Sequence, residues 1–465
     1  MTRSCKTATV AEDTISAIST PPGKGGICVI RISGERSLAV IREIFMFHGK
    51  HRNFEPRIMY AGNIVDPSDK TLVDSAMCVF MKAPNSYTGE DSAEIHCHGG
   101  TACSEKVMEL TLKHGCAPAG PGEFTQRAFL NGKMDLAQAQ AVADIINAQT
   151  ELGLRQAGLQ LAGGLSERIN RTKTRLLELL AEIEARIDFP EEETGEAVAE
   201  SLKKVAESVR ENLHSLLSTY AAGSLIREGA GVTIVGRPNV GKSSLMNALL
   251  GRERAITSPE PGTTRDYIEE QISIKGITVR LTDTAGMRNA QSSAEKAGIE
   301  MAQDKALGAD LQILVLDGSK PPSGEDVKMV EKAPENTVVS INKADLPQDD
   351  GFKTDRFGEK KTVHTSAKTG QGVEELKEAV RKTLMENTGT VESNEAALTG
   401  IRQKQAVETA LEAVNVFFAL VEQKESLEIL SIKVKEAMDS LGEITGETTT
   451  EEMLGVIFGK FCIGK

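Results

Sequence analysis

The sequence lacks any long hydrophobic run: no apolar stretch approaches the roughly 18 residues that a membrane-spanning helix needs. It also lacks the features of a signal peptide, because Arg3 and Lys6 are not followed by a hydrophobic core. Glu12 and Asp13 argue against an organellar transit peptide. We therefore expect a cytoplasmic protein that makes no use of a membrane.

Cysteine is scarce, and the 54 basic residues are outnumbered by 67 acidic ones. Seven cysteines scattered over 465 residues form no disulfide framework, and a reducing compartment suits them best. The formal net charge of −13 opposes unaided binding to nucleic acid, since such binding depends largely on Lys and Arg contacts with phosphates. Any contact with RNA must then use a local basic patch or a basic partner. The length suits about three domains.

The C-terminal sequence FGKFCIGK contains Cys462 at the position of the cysteine in a prenylation box. Ile463 suits such a box, but Gly464 is not aliphatic and Lys465 is not one of the usual terminal residues. No polybasic run precedes the cysteine. The tail is therefore not expected to carry a lipid, and Cys462 either takes part in chemistry or is inert.

Hydrophobic patterning divides the chain into segments of different character. Residues 1–131 mix short apolar runs, such as GGICVIRIS at 25–33 and SAMCVFM at 75–81, with turn sequences, which is an α+β pattern. From about residue 134 helix breakers become rare and apolar residues recur at helical spacing, which predicts long packed helices over 132–227. These apolar residues include Leu165, Ile169, Leu176, Leu180, Ile183 and Ile187.

Residues 228–386 alternate predicted strands with predicted helices, which is typical of an α/β domain. The chain becomes helical again from about 396 to 441. The simplest architecture inserts the α/β domain between two parts of one helical domain, residues 132–227 and 387–465. The predicted fold class is therefore multidomain, with α+β, all-α and α/β parts.

The segment VTIVGRPNVGKSSLMNALLG contains Gly236, Gly241, Lys242 and Ser243 with G-x-x-x-x-G-K-S spacing, between a predicted strand and a predicted helix. This context identifies a P-loop. Its glycines let backbone N–H groups close around phosphates at the positive end of a helix dipole. Lys242 supplies charge to the β- and γ-phosphates, and the Ser243 hydroxyl can bind magnesium.

Three later segments, TVRLTDTAG, VVSINKAD and VHTSAK, follow in the order that a GTP site requires, and Ser366, Ala367 and Lys368 of the third are placed to close over the base. TVRLTDTAG ends a strand at Asp283, which can hold magnesium through water. VVSINKAD ends with Asp345. Its carboxylate can accept hydrogen bonds from N1–H and the 2-amino group of guanine, and adenine does not offer this pair of donors. The predicted GTP-binding residues are Asn239, Val240, Gly241, Lys242, Ser243, Ser244, Ser258, Pro259, Glu260, Pro261, Gly262, Thr263, Thr264, Asp283, Thr284, Ala285, Gly286, Asn342, Lys343, Ala344, Asp345, Ser366, Ala367 and Lys368.

Catalysis must differ from that of small signalling GTPases. Met287 stands where those proteins carry a glutamine that orients the attacking water, and its side chain is no useful partner for water. Arg288 and Glu295 follow closely, and a carboxylate is the better candidate for positioning water. From spacing alone, Glu295 is equally well explained as a solvated helix charge.

Two further segments hold residues of the kinds that bind metal or RNA. EIHCHGGTACSEKVMELTLKHGC contains three histidines and three cysteines, but it lacks Cys-x-x-Cys and His-x-x-x-His spacing. The alternation in EIHCH favours a strand over a structural zinc site. RINRTKTR at 168–175 is either a tRNA-binding patch or a solvated helix face.

The order of these motifs, together with the tail, resembles the tRNA-modifying GTPase MnmE (TrmE) family from end to end. No single GTPase motif is distinctive, but the sequential set is highly specific. The resemblance rests on PPGKGGICVIRISG, PNSYTGED, PGEFTQRAFLNGKMDLAQAQAVAD, GRPNVGKSSLMNALLGRERAI, PGTTRD, DTAG, EITGE and FCIGK.

The resemblance implies an N-terminal tetrahydrofolate-binding and dimerisation domain at 1–131, a helical domain, and an inserted Ras-like GTPase domain at 228–386. It implies a homodimer that works with the flavoprotein MnmG, in a heterotetramer or larger complex, on tRNA. The implied reaction adds a carboxymethylaminomethyl or aminomethyl group at carbon 5 of the wobble uridine. The one-carbon donor would be 5-formyltetrahydrofolate or 5,10-methylenetetrahydrofolate, and glycine or ammonium would supply the amine.

The resemblance also implies roles within the GTPase domain. Potassium would promote contact between the GTPase domains of the dimer and would meet the charge that develops on the phosphates. Thr264 would complete the magnesium site with Ser243. Glu295 would orient water, and Arg288 would order its loop. The implied potassium ligands are Asn239, Ser258, Glu260 and Thr263.

For the folate, the matching positions are Arg31, Glu94, Lys133 and Lys465. A carboxylate can pair with the pterin amino and ring N–H groups, whereas Arg and Lys suit carbonyl oxygens and the glutamyl tail. The resemblance puts the FCIGK tail beside this pocket and Cys462 near the reacting carbon. Its thiolate could attack, move a proton or only order the site.

Two positions depart from the family pattern. Switch I carries Pro259 and Pro261 where members often have Asp and Ala. Proline keeps its backbone carbonyl, so these positions can still bind an ion. The two prolines are nevertheless expected to change the flexibility of the loop and its affinity for potassium. Gly120 replaces a common arginine, so any anionic contact there is lost.

Two other classes of GTPase fit the sequence less well. A ribosome-associated assembly GTPase usually adds a basic RNA-binding domain or a second GTPase domain, whereas this chain has one P-loop and an acidic balance. A polymerising mechanical GTPase gives no role to the N-terminal domain or to Cys462.

Overall fold

The computed structural model describes residues 13–189, 196–251, 269–283, 309–349, 360–386, 388 and 395–465. The chain divides into a first unit, the residues up to Ala143 with Gly442–Lys465, and a second unit, Asp144–Leu441. The described strands are β1 (Ile15–Ile18), β2 (Ile27–Ser33), β3 (Phe45–Phe47), β4 (Met59–Val65), β5 (Leu72–Met81), β6 (Ser92–His98), β7 (Ala117–Pro118), β8 (Ala230–Val235), β9 (Glu269–Ile274), β10 (Ile277–Asp283), β11 (Leu311–Asp317), β12 (Thr337–Asn342) and β13 (Lys361–His364).

Helices connect and cover these strands. The described helices are α1 (Ser37–Ile44), α2 (Thr101–Lys113), α3 (Glu123–Leu130), α4 (Leu136–Asn147), α5 (Glu151–Leu161), α6 (Gly164–Asp188), α7 (Glu196–Ser218), α8 (Tyr220–Glu228), α9 (Lys242–Leu250), α10 (Gly324–Lys332), α11 (Val373–Glu386), α12 (Ile401–Glu422), α13 (Leu427–Thr445) and α14 (Glu451–Phe458). None of the helices in these ranges is long and apolar enough to cross a membrane.

The first unit contains a sheet with strand order β3-β4-β5-β6-β2-β1-β7. Its neighbours pair antiparallel except for β1 and β7. The strands predicted at 25–33 and 75–81 are confirmed as β2 and β5. EIHCH lies in β6, as its alternation predicts.

Alternation along β2 separates the core of the first unit from its polar face. Ile30 and Ile32 are fully buried against Val40 of α1 and Leu110 of α2. Because successive side chains of a strand point to opposite faces, Arg31 lies on the other side of the sheet. Its cross-strand partner in β6 is Glu94.

Residues Gly442–Lys465 belong to the first unit because of their apolar side chains. Phe458 and Phe461 are buried in a cluster with Leu136 of α4, and Phe129 of α3 packs against it. A Cβ on Gly446 would lie 2.6 Å from the Phe129 ring, so this turn fits closely. The domain boundaries after 131, 227 and 386 remain predictions.

The second unit joins the helices that precede the α/β part to those that follow it. The long helix predicted from Leu165 to Ile187 is confirmed as α6, with Leu165, Ile169 and Leu176 fully buried. Gln160 of α5 donates hydrogen bonds to the Ala397 oxygen at 2.8 Å and to Thr399 Oγ1 at 3.0 Å. The helical segment predicted at 396–441 forms α12 and α13, separated at Lys424 (φ 58°).

The α/β pattern predicted at 228–386 is confirmed by the second sheet. Its strand order is β13-β12-β11-β8-β10-β9, and neighbours pair parallel except β9 and β10. Every residue of β12 is buried, as expected of a strand covered on both faces. The carboxyl ends of β8, β11, β12 and β13 lie at one edge, where open α/β sheets bind ligands.

Candidate functional site

The loop between β8 and α9 has a backbone that only glycine accommodates at two positions. Gly236 has φ 153° and Gly241 has φ 100°. A Cβ on Gly236 would lie 2.5 Å from the Val315 oxygen, and one on Gly241 would collide with Nδ2 of Asn342. The loop therefore turns tightly just before α9. The first N–H groups of α9 face the side on which this loop lies.

Lys242 is held at the centre of this loop. Its side chain is buried, and Nζ donates to the backbone oxygens of Gly236 at 3.1 Å and Arg237 at 2.9 Å. Ser243 and Ser244 are exposed on the first turn of α9. Asn239 is exposed with φ 67°. The loop thus presents a cation, backbone N–H groups and hydroxyls, which suit a nucleotide phosphate with its magnesium ion.

Arg237 ties the P-loop to the start of α10. Nη1 lies 2.6 Å from Ser323 Oγ and 3.3 Å from Asp326 Oδ2, while Nε lies 3.1 Å from Glu325 Oε2. Ser323 and Asp326 form a capping box at this helix end. The sequence analysis missed this positioning role, because nothing in the chain order links residue 237 to the 323–326 turn.

Asn342 links the P-loop to the loop after β13. Its Nδ2 donates to the Val240 oxygen at 2.9 Å, and its Oδ1 accepts from the Ala367 N–H at 3.0 Å. The side chain is 2% exposed. Three separate sequence motifs therefore meet at one amide, as the predicted GTP site requires.

The carboxylate predicted to select guanine is oriented by its neighbours. Asp345 is exposed, and its Oδ1 accepts a 2.6 Å hydrogen bond from the buried Ser366 hydroxyl. This hydrogen bond holds the pKa of Asp345 below its usual value, so the carboxylate is ionised at neutral pH. Lys343, with φ 66°, forms a 2.6 Å ion pair with Asp317 at the end of β11.

Ala344 and Lys368 complete the described part of the base-binding motifs. The Ala344 N–H donates to the Thr365 oxygen at 2.9 Å, and Lys368 is exposed. Asp283 is the last residue of β10, beside Ile234 of β8 in the register. The predicted site residues Ser258, Pro259, Glu260, Pro261, Gly262, Thr263, Thr264, Thr284, Ala285, Gly286, Arg288 and Glu295 lie outside the described residues.

In the first unit, two of the predicted folate ligands form an ion pair. Arg31 Nε and Nη2 both lie 3.0 Å from Glu94 Oε1. The guanidinium also stacks on Tyr87, 5.4 Å from the ring centroid. His96, which sequence reasoning did not select for this site, lies 3.3 Å from Glu94 Oε2. The side chains of Arg31 and Glu94 are 20% and 21% exposed, so a ligand can still reach them.

The FCIGK tail lies beside this ion pair. The Gly464 oxygen accepts from Ser19 Oγ at 3.0 Å and from Arg31 Nη1 at 3.5 Å. The Phe124 N–H donates to the Lys465 oxygen at 3.2 Å. Cys462 is an exposed free thiol. The structure therefore brings the tail to Arg31, as expected from the family resemblance.

Lys133 lies on a neighbouring cavity of about 390 Å³. Its Nζ donates to the Pro84 oxygen at 3.0 Å. Tyr87 lines the same cavity and also supports Arg31, so the cavity and the ion pair share a wall. Within the part of the chain that the structure describes, no hydrogen bond or ion pair joins Lys133 directly to Arg31 or Glu94.

The basic run at 168–175 is largely compensated by acidic side chains. Arg168 lies 3.3 Å from Glu395, and Arg175 lies 2.9 Å from Glu178. Arg171 pairs with Glu167 one helical turn away at 2.5 Å. This arrangement favours a solvated helix face over a tRNA-binding patch.

The glycine loop with Lys242, the parallel strands ending at one edge, and the oriented Asp345 carboxylate define a P-loop protein that binds a guanine nucleotide. Two family models cover most of the chain: "GTP-binding protein TrmE N-terminus" matches residues 14–133, and "MnmE helical domain" matches residues 136–462. The chain belongs to the tRNA modification GTPase MnmE (TrmE) family, which confirms the predicted family and fold class.

Full-length relatives agree with this assignment. The tRNA modification GTPase MnmE of Geobacter metallireducens is 42% identical over 459 residues, covering 98% of this chain and 99% of that protein. The one of Clostridioides difficile is 41% identical over 460 residues, with 98% and 99% covered.

Solved structures resemble parts of the chain. The G domain of the T. maritima FeoB iron transporter is 32% identical, with a TM-score of 0.25, and the match covers 33% of this chain and 98% of that one. Aquifex aeolicus Era bound to GDP and aluminium fluoride is 25% identical with a TM-score of 0.25, covering 40% and 66%.

Proposed function

We propose that this protein hydrolyses GTP during tRNA modification and that, with MnmG, it adds a carboxymethylaminomethyl or aminomethyl group at carbon 5 of the wobble uridine. A tetrahydrofolate would supply the one-carbon unit. The observation that carries the proposal is the 42% identity to a tRNA modification GTPase MnmE over 98% of the chain. The proposal further includes a cytoplasmic homodimer.

The described residues support the GTP-binding half of the proposal. Asp345, ionised and oriented by Ser366, can accept both N–H groups on the pairing edge of guanine. Lys242 Nζ lies within the P-loop, 3.1 Å from the Gly236 oxygen and 2.9 Å from the Arg237 oxygen, and is proposed to turn its charge toward the β- and γ-phosphates when a nucleotide binds. Ser243 would hold magnesium together with Thr264, and the bound ion would neutralise charge on the phosphates.

Hydrolysis is proposed to depend on potassium and on a second copy of the chain. Asn239 is exposed on the P-loop, where its amide oxygen is free to face a cation near the phosphates. Glu295 is proposed to orient the attacking water, and Arg288 to order the same loop. The remaining proposed potassium ligands are Ser258, Glu260 and Thr263.

A potassium titration tests this assignment. Asn239→Ala should abolish stimulation of GTP turnover by potassium while leaving GTP affinity nearly unchanged. Asn247→Ala is the matched control, because Asn247 is exposed on α9 rather than on the loop. Equal turnover of the parent protein in sodium and in potassium would contradict the assignment.

The role of Glu295 has its own test. Glu295→Ala should lower GTP turnover strongly with little loss of nucleotide affinity, because a water-orienting group acts in the transition state. Turnover that stays at the parent level would assign water positioning to another residue.

The first unit is proposed to bind the folate. Glu94 can accept N–H groups of the pterin, and the 20% and 21% exposure of the Arg31 and Glu94 side chains leaves the pair accessible to a ligand. Lys133 and Lys465 are proposed to meet the carboxylates of the glutamyl tail. Cys462, exposed on the tail, is proposed to lie near the carbon that is transferred, as nucleophile, proton carrier or ordering residue.

Folate binding distinguishes this proposal from an assembly GTPase or a mechanical GTPase. Tetrahydrofolate binding to the full chain, followed by fluorescence, should weaken at least about tenfold in Arg31→Met and Glu94→Gln, since each removes a charged hydrogen-bonding group. Arg52→Met is the control, because Arg52 is exposed and its guanidinium donates a hydrogen bond to the neighbouring His51 oxygen. A parent protein without folate affinity would contradict this half of the proposal.

A further inference from the structure

Three potential metal ligands of the first unit converge at a place that the nucleotide and folate proposals do not use. Asp74 lies near the start of β5, Cys97 near the end of β6, and Cys103 in the first turn of α2. One carboxylate oxygen and the two sulfur atoms all lie within 4.8 Å of one another. The Cys103 sulfur is 3.3 Å from Asp74 Oδ2.

The three side chains are largely withdrawn from water. Cys97 is 3% exposed, and the Asp74 side chain is 11% exposed. Cys103 is half-buried, which leaves one side of the group open toward solvent. A metal ion could therefore enter from that side without the core being opened.

His98 fixes the carboxylate of Asp74. Its backbone N–H donates to Oδ2 at 2.7 Å, and its Nδ1 lies 2.7 Å from Oδ1. Histidine or backbone groups that orient a ligating carboxylate in this way are the usual outer partners of a metal site. The His98 side chain itself is 73% exposed, so it can be replaced without disturbing the core.

The donor set favours one class of metal ion. Two cysteine sulfurs with one carboxylate oxygen suit a borderline-soft divalent ion, and Zn²⁺ accepts both types of ligand. In a tetrahedral zinc site neighbouring donor atoms lie about 3.3–3.8 Å apart, so donors already within 4.8 Å need only small rotations.

We propose that Asp74, Cys97 and Cys103 bind one Zn²⁺ ion per chain, with water in the fourth position. The ion would join the start of α2 to β5 and β6. Sequence spacing could not predict this set, because its members lie on three different elements, Asp74 on β5, Cys97 on β6 and Cys103 on α2. His96 and His114, which the sequence pattern offered as ligands, pair instead with Glu94 and Glu43.

Metal titration of the reduced full-length protein tests the proposal. After chelator treatment, addition of zinc chloride in competition with a chromophoric zinc indicator should give one tightly bound Zn²⁺ per chain. Cobalt chloride should give the near-ultraviolet sulfur-to-metal absorption of a thiolate site. Cys103→Ser and Asp74→Asn should each lower zinc affinity at least about a hundredfold, and His98→Ala about tenfold to a hundredfold.

Cys462→Ser is the matched control, because it removes an exposed thiol at another place in the first unit. This variant should still bind one Zn²⁺. The proposal is overturned if the reduced parent protein binds no zinc, if Cys103→Ser binds it fully, or if binding disappears in Cys462→Ser. The proposal is also overturned if the protein is isolated with a Cys97–Cys103 disulfide and still binds no zinc after that disulfide has been reduced. If Cys103→Ser and Asp74→Asn do not fold, the zinc affinity of His98→Ala and the cobalt spectrum of the parent protein test the proposal instead.

Discussion

The side-chain amide of Asn342 donates a hydrogen bond to the backbone oxygen of Val240 at 2.9 Å. This contact joins the end of a fully buried strand to the P-loop, 102 positions earlier in the chain. The same amide accepts from the Ala367 N–H at 3.0 Å. The phosphate-binding and base-binding loops therefore share one rigid support.

Replacement of Asn342 by alanine should weaken both loops together. Asn342→Ala leaves the Val240 oxygen and the Ala367 N–H without this partner, and a buried unpaired group costs about 1–3 kcal/mol. We expect GTP affinity to fall at least about tenfold, measured with a fluorescent GTP analogue. Asn247→Ala is the control, because Asn247 is an exposed asparagine on α9. Parent-level affinity in Asn342→Ala would contradict the proposed support.

Replacement of Asp345 by asparagine should change the preferred base. The asparagine oxygen can still accept from N1–H, but its NH₂ group opposes the 2-amino group of guanine and suits the 2-oxygen of xanthine. We expect Asp345→Asn to lose at least about a hundredfold in GTP affinity and to gain affinity for XTP, since two charged hydrogen bonds are altered. Competition binding with GTP, XTP and ATP measures this. Unchanged GTP selectivity would assign base recognition elsewhere.

Replacement of Arg127 should destabilise the first unit. Its side chain is 4% exposed and pairs with Glu123 at 2.7 Å and with Glu90 at 3.3 Å. Because removal of one partner leaves buried charge uncompensated, Arg127→Met should lower the free energy of unfolding by about 3–5 kcal/mol. Thermal unfolding of the full chain measures the loss, and the exposed Arg42→Met is the control. Equal melting temperatures for the two variants would show that the pairs contribute little.

Replacement of Gly464 should detach the tail. Gly464 has φ 91°, and a Cβ there would lie 2.6 Å from the Ile18 oxygen. Gly464→Ala should therefore separate the Gly464 oxygen from Ser19 and Arg31 and make the tail more sensitive to carboxypeptidase. Gly455→Ala is the control, because a Cβ there meets nothing within 4 Å. Equal rates of cleavage in the two variants would contradict the close fit.

Much of the fold was predictable because its signals are local. The P-loop glycines predict their own turn, and the apolar repeat from Leu165 predicts α6. Parallel strands carry their functional residues at their carboxyl ends, so the meeting of Lys242, Asn342 and Ser366 at one sheet edge also follows from the motif order.

The rest depends on contacts between residues far apart in sequence. Arg237 reaches Ser323, and Asp74 meets Cys103, without any spacing rule that links them. The grouping of α14 with α3 and α4 depends on Phe458 and Phe461, whose apolar character alone does not say which surface they cover. Such pairings are decided by tertiary packing rather than by periodicity.

The hydrogen bond between Ser19 and Gly464 spans 445 positions, and this has a consequence for biosynthesis. A ribosome adds about 5–20 residues per second, so the N-terminal strands emerge on the order of tens of seconds before the segment that covers Phe129 and Leu136. During that interval the apolar side chains of Phe129 and Leu136 lack the cover that Phe458 and Phe461 later provide. The second unit differs, because its sequence ends at Leu441. All of it has left the ribosomal exit tunnel before α14 does.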